Sequence, residues 1–271
     1  MSEHQGVHYV HAPDLAGWMT KSRNEGLMWT TGDVVAFLDD DVVVHSHWSA
    51  ALLKCYAETD CDAAVGRTIN RQPGEEHYDL PIGDLTDAGE LTDGFAAQTD
   101  GRRVVVHGIG ANMSFTRDIL ITLGGFRDDY PGTALREDTD IFLRIARLGG
   151  KAVYDPDAAV DHLPAPHVHG ARFDTRYKLY GRRNHLVLLT RHEGFLAPRS
   201  RRWVASQLGA VAGAGDLRRK LERFGVTVLG VSWGLAAAPR QAGWRAADPV
   251  LNTPKAHAIR RHLTANAHDA L

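Results

Sequence analysis

The chain has 271 residues, with 44% hydrophobic content, 24% charged content and a formal net charge of −2. This is the composition of an ordinary globular protein, long enough for one large α/β domain or a domain with an appendage, and its charge gives no sign of nucleic-acid binding. Cys55 and Cys61 are too few for a disulfide scaffold and lack zinc-ligand partners at the usual spacing, so they read as reduced packing residues of a cytosolic protein; MSEHQGVHYV is no signal peptide.

Residues 7–10 read as a short strand and residues 14–30 as largely helical, with Gly32 as the stop. Residues 34–38, VVAFL, form an uninterrupted apolar run, which predicts a strand buried on both faces of a parallel sheet. Asp39, Asp40 and Asp41 follow at once. Three adjacent carboxylates repel one another, so a divalent cation is their natural partner. In open parallel sheets, ligands sit beyond the carboxyl ends of the strands. A polar turn would also place acids here, although it needs fewer than three.

Trp48, Ala51, Leu52 and Cys55 recur at helical spacing, and residues 63–65 read as another strand. Residues 70–101 have no clear period and read as an irregular surface excursion of binding-loop length. Residues 103–106 are a predicted strand. GIGANMSFTR, residues 108–117, opens with glycines that let backbone approach a ligand; it also reads as a plain turn, and it departs from G-x-G-x-x-G at Met113. Residues 117–123 are a short helix stopped by Gly124 and Gly125.

In LREDTDIFLRIARLGG, residues 135–150, Ile141, Phe142, Ile145 and Leu148 make one apolar helix face. Glu137, Asp138 and Asp140 fall at its start. Acids there complement the helix dipole, which explains one carboxylate better than three. A carboxylate fixed in direction at a helix start also suits a general base, and Asp138 is the candidate. Residues 151–154 read as a strand and Asp155-Pro156 as a turn. His162, His167 and His169 share a loop with Pro164 and Pro166. A lone loop histidine is usually just solvated, but beside an acidic cation site His162 is a candidate third ligand.

Residues 172–192 read as one helix, bent near Gly181, with a basic face that suits either solvent or a phosphate. Residues 199–238 read as basic amphipathic helices. The uncharged run 224–238 has 15 residues, short of the ~20 a spanning helix needs. It suits either an anionic membrane surface or packing on the main domain. Residues 248–271 read as a loose tail with a short helix near 256–263.

Four blocks resemble, in order and spacing, the family 2 glycosyltransferases of the GT-A fold. They are RNEGLMWTTGDVVAFLDDD, GANMSFTRDILITLGGF, LREDTDIFLRIARLGG and YDPDAAVDHL. The resemblance implies an α/β fold, GT-A-like, with a mostly parallel central sheet flanked by helices and a helical C-terminal region. The corresponding domains are 1–195, catalytic, and 196–271, basic and helical. It implies an inverting transfer of a sugar from a nucleotide-diphosphate sugar to a hydroxyl of a polysaccharide, lipid-linked glycan or other glycoconjugate. Asp39 and Asp41 would hold Mn²⁺ or Mg²⁺ and the donor diphosphate, with His162 completing the metal site. Asp40 would lie near the ribose, Arg23, Asn24, Gly110 and Asn112 would line the donor, and Asp138 would be the base with Glu137 beside it. A cytoplasmic protein, peripheral on the cytoplasmic membrane face through 199–238, is the implied setting.

Members of that family also open with a strand and loop gripping the nucleotide base. None precedes Val7, so the resemblance implies one or two missing strand–helix units, an open sheet edge and an incomplete base pocket. Two other readings stand beside it: a haloacid-dehalogenase-type phosphatase, whose D-x-D-x-[TV] pattern Asp39 to Val43 fits, and an inactive relative acting as a binding protein.

Overall fold

The structure, a computed structural model, describes residues 6–71, 78, 81–132, 135–163, 174–212 and 216–266. His167, His169 and Arg172 lie outside them. The chain opens with α1 (Met19–Gly26), β1 (Val34–Leu38), β2 (Val42–Val44), α2 (Trp48–Thr59) and β3 (Ala63–Asn70). Next come β4 (Ile82–Leu85), β5 (Leu91–Asp93), β6 (Arg103–Val105), β7 (Asn112–Thr116), α3 (Arg117–Leu123), α4 (Glu137–Arg147) and β8 (Ala152–His162). Four helices close it: α5 (Thr175–Glu193), α6 (Pro198–Ala212), α7 (Leu217–Gln241) and α8 (Pro254–Ala265).

The expected helix-flanked α/β architecture is present. The main sheet has the order β1-β7-β3-β8-β2, with β6 also on β8, while β4 and β5 form a separate hairpin. β1, β3 and β8 all run the same way. Only β3 and β8 are parallel neighbours, because β7 runs antiparallel between β1 and β3, and β2 and β6 run antiparallel to β8. The apolar runs encode burial and not direction, so β7 could not be placed from sequence. The glycines before it read as a ligand-approach segment or a plain turn, yet Asn112, Met113, Ser114 and Phe115 are all buried in the sheet.

Several local expectations are corrected. Residues 7–10 form no strand, and Val7 and Tyr9 are exposed, with no strand beside them to pair. β1 is not buried on both faces: among the described residues it pairs only with β7, and Ala36 and Leu38 are exposed. Asp155-Pro156 is no turn but lies inside β8, where the β3 pairing shifts register between Gly66 and Thr68 and accommodates the missing proline N–H. The 70–101 excursion contains the β4–β5 hairpin. α5 runs unbroken through Gly181, and Leu148 is exposed at the C-cap of α4. Up to residue 266 the tail is packed: Ile259 and Leu263 of α8 are fully buried in the main core with Leu120, Leu123 and Phe126.

That core lies between the sheet and the helices α3, α4 and α8, and fixes the start of α4 relative to the ends of β1 and β8. Gly108 belongs to it, since a Cβ there would come within 2.5 Å of the Phe142 ring and of Val65. Cys55 and Cys61 are free and buried, packed with Leu52 and Val153.

Candidate active site

Sheet register brings the acids and the histidine together. β3 and β8 continue beyond the last β7 pair, Val65↔Met113, and β2 joins them with Val42 opposite His162. The turn Asp39–Asp41 leads directly into β2, so Asp41 comes to lie beside His162. Its Oδ1 is 3.1 Å from His162 Nε2, and the Asp41 carbonyl accepts from Leu163 N at 2.8 Å. One ligand atom each from Asp39, Asp41 and His162 lies within 4.8 Å of the others. Asp161 flanks the group, paired with Arg71 at 2.6 Å and with His45 at 3.4 Å.

Two carboxylates and one imidazole on a partly open surface match a hard or borderline divalent cation such as Mg²⁺ or Mn²⁺. Asp39 shares the buried Arg23 guanidinium, at 3.5 Å, with Glu137, and Asp41 meets His162. Burial raises Asp39 above the usual carboxylate range, Arg23 opposes the rise and the neighbouring Asp41 adds to it. A cation would relieve that like-charge repulsion. Asp40 is exposed beside them.

Arg23 is the hub of the cleft. From the buried face of α1 it donates to Glu137 Oε1 at 3.0 Å and to the Gly110 carbonyl at 3.4 Å, and it meets Asp39 Oδ1 at 3.5 Å. The Gly110 amide in turn donates to Asp138 Oδ2 at 3.1 Å. A Cβ at Gly110 would come within 2.7 Å of Arg23 Nη2, so the glycine keeps this bridge closed. Asp138 Oδ1 accepts from Thr139 N at 2.7 Å, which fixes the half-buried carboxylate at the first turn of α4. Glu137 beside it is 4% exposed; burial, with Asp138 adding and Arg23 opposing, pushes its carboxyl up to about 8.

Asp140 lies elsewhere. It is fully buried and accepts from Tyr130 Oη at 3.0 Å and His192 Nε2 at 3.2 Å, with Arg127 and Arg144 close by. Burial alone would raise it, but His192 and the two guanidiniums hold it well below the carboxylate range. It ties α4 to α5.

Two expected donor-lining residues have their side chains engaged in the fold. Asn24 exchanges two hydrogen bonds with the Phe126 backbone, at 2.8 and 2.9 Å. Asn112 accepts from Trp48 Nε1 at 2.9 Å and donates to the carbonyls of Ala158 and Arg67 at 2.9 and 3.2 Å. It pins β8 to β3 across the register shift, where a Cβ on Gly66 would come within 2.2 Å of its Nδ2.

Sequence reading missed Arg136 and His185. Arg136 precedes Glu137 with φ +86°, a left-handed conformation that costs a side-chain-bearing residue energy. Its Nε donates to His185 Nδ1 at 3.1 Å, while His185 Nε2 donates to the Gly89 carbonyl at 2.7 Å. Those partners select the neutral Nε2–H tautomer. No residue-type pattern announces such a relay, since arginine is rare in that conformation.

A family model described as glycosyl transferase family 2 matches residues 1–124. The glucosyl-dolichyl phosphate glucuronosyltransferase of Haloferax volcanii is 29% identical over 167 residues, 56% of this chain and 50% of that one. The succinoglycan biosynthesis protein ExoM of Rhizobium meliloti is 30% identical over 158 residues, 58% of this chain and 48% of that one. The chain thus spans about half the length of these curated relatives. A solved structure of GalNAc-T7 with UDP, GalNAc and Mn²⁺ aligns with a TM-score of 0.48 and 16% identity, over 83% of this chain and 44% of that chain.

Proposed function

We propose that this chain, which matches glycosyl transferase family 2 over residues 1–124, moves a sugar from a nucleotide-diphosphate sugar to a hydroxyl of a glycan or lipid-linked acceptor, with inversion. The observation that carries the reading is the convergence of Asp39, Asp41 and His162, linked through Arg23 and Gly110 to Asp138. In it, Asp39, Asp41 and His162 hold Mg²⁺ or Mn²⁺, which when bound neutralises charge developing on the departing diphosphate. Asp40 lies toward the ribose. Asp138 accepts the proton of the attacking hydroxyl, fixed in direction by Thr139 N and Gly110 N. Arg23 holds Gly110, Glu137 and Asp39 in one arrangement, and Asn24 and Asn112 act through the backbone they pin. A single displacement needs no second nucleophile.

Residues 1–195 form the catalytic part in this reading, and 199–238 lie on the cytoplasmic face of a membrane. No helix among the described residues is long and apolar enough to cross a membrane. The phosphatase reading is set aside on that family match.

The test is calorimetric titration with Mn²⁺ and nucleoside diphosphates. We expect diphosphate binding to require the cation, and both to weaken in Asp41→Ala and His162→Ala. Cation binding unchanged in both variants would contradict this assignment of ligands.

A further inference from the structure

The helices α5, α6 and α7 enclose a cavity of about 630 Å³ that shares no lining residue with the acidic cleft. Lys178 and Arg182 line it from α5, and Arg219 and Arg223 from α7, against the single carboxylate of Glu222. Among the described residues, no carboxylate lies within ion-pair distance of Lys178, Arg182 or Arg223, and Arg219 pairs only with the exposed Asp216 at 3.6 Å. Glu90 offsets Arg182 at longer range and is itself bonded by Ser206 and Gln207.

The cations are held rather than loose. Arg182 Nη1 donates to the Lys178 carbonyl at 3.2 Å, and Arg223 Nη1 to the Ala210 carbonyl at 3.3 Å. Two buried polar atoms have no partner among the described residues: Arg182 Nε, and the Oγ1 of Thr227, which is 1% exposed and lines the cavity. Such atoms cost free energy unless a ligand meets them. Clustered guanidiniums, an ammonium and a hydroxyl suit a group with several charged oxygens, as a phosphate has.

The surroundings say where that phosphate comes from. On α7, Leu217, Leu221, Phe224 and Val228 follow one another at helical spacing and are 72%, 63%, 52% and 37% exposed. An apolar ridge on the helix that carries Arg219 and Arg223 has the build of an interfacial helix beside a basic headgroup pocket. We propose that the α5–α6–α7 cavity binds the terminal phosphomonoester of an anionic lipid, with the α7 ridge lying in the bilayer interface. This rests on the membrane contact proposed above and is independent of the transfer chemistry.

The experiment is vesicle co-sedimentation. Phosphatidylcholine vesicles carry no net-charged lipid, phosphatidic acid or phosphatidylserine at matched surface charge, with or without sodium pyrophosphate as soluble competitor. A terminal phosphomonoester presents one more unesterified charged oxygen than the diester of phosphatidylserine and so accepts more charge-assisted hydrogen bonds; we expect phosphatidic acid vesicles to bind about tenfold more tightly than phosphatidylserine vesicles. Thr227→Val should weaken that preference, and Arg182→Gln should abolish it while leaving charge-driven binding. Arg223→Gln, at an exposed position, should do the same if Arg182→Gln fails to fold. Equal binding to both anionic vesicles, unchanged in these variants, would overturn the headgroup site while leaving the membrane contact intact. Pyrophosphate binding in solution that Arg223→Gln abolishes, without any vesicle binding, would overturn the lipid as its source.

Discussion

Asp138 and Asp140 differ in what surrounds them and not in residue type. Asp138 is half-buried and bonded by two backbone amides, of Gly110 and Thr139. Asp140 is closed in by Tyr130, His192, Arg127 and Arg144. The two substitutions should therefore fail in different ways. Asp138→Asn keeps the shape and removes the proton acceptor, so we expect turnover to fall about 10² to 10⁴-fold with donor affinity nearly unchanged. Asp140→Asn leaves buried guanidiniums short of a counter-charge, so we expect a stability loss on the order of 3–5 kcal/mol by denaturant titration. Near-normal turnover in Asp138→Asn with lost turnover in folded Asp140→Asn would show that the base is the other acid. The cleft acids were legible because clustered carboxylates have few structural excuses. Asn24 and Asn112 were not, since an amide that lines a ligand and one that clamps backbone look alike in sequence.

At the scale of elements, strongly periodic segments declared themselves: α2, α3, α4 and α5 all stand where apolar spacing puts them. β7 did not, since it is short and follows glycines that read as a turn; α8 stands where a short helix near 256–263 was expected, but its burial in the core was not legible. Yet α8 helps to fix the site. Ile259 packs on the loop at Gly125, where a Cβ would lie 2.7 Å from both Ile259 Cδ1 and Asn24 Oδ1. Gly125 has φ +82°, so a side chain there is strained as well. Arg260 and Arg117 complete the dock through the Ile121 and Leu263 carbonyls. We expect Ile259→Ala to cost about 2–5 kcal/mol by cavity formation. Gly125→Ala should cost less in packing and also loosen the Asn24–Phe126 clamp. Urea unfolding of both variants checks this; a change below about 0.5 kcal/mol in Ile259→Ala would mean that α8 is peripheral.

For the whole molecule, buried ionisable groups set a pH profile. Burial holds His107, His185 and His192 below the ordinary histidine range. Unfolded, they take up protons near pH 6.5; folded, they resist, so each contributes stability above that pH that is lost as pH falls below it. Glu137 acts in the opposite sense. Its carboxyl, raised to about 8, contributes stability at low pH that is lost as pH rises from the unfolded value near 4.3 to about 8. Below pH 6.5 three histidines oppose Glu137 and Asp39; between pH 6.5 and about 7 Glu137 sets the falling slope, and above that the Cys61 thiol, lowered to about 7 by its hydrogen bond to Cys55, opposes it. We therefore expect the stability of the metal-free protein to rise to a maximum near pH 6.5–7 and then level off to about pH 8, each net proton contributing about 1.4 kcal/mol per pH unit. Urea midpoints between pH 5 and 8.5 test this, and a monotonic rise to pH 8.5 would refute the Glu137 contribution. At this scale the register of β2 on β8 joins the acids to His162, and α4 carries Asp138, which the proposed function joins to them. The measurement that bears on it most directly is the reaction itself. The intact chain would be given Mn²⁺, a panel of nucleotide-diphosphate sugars and hydroxyl acceptors, with the anomeric proton of the product followed by NMR. We expect cation-dependent release of nucleoside diphosphate and a product of inverted anomeric configuration. Transfer with retained configuration, or transfer unaffected by chelation of the cation, would contradict it.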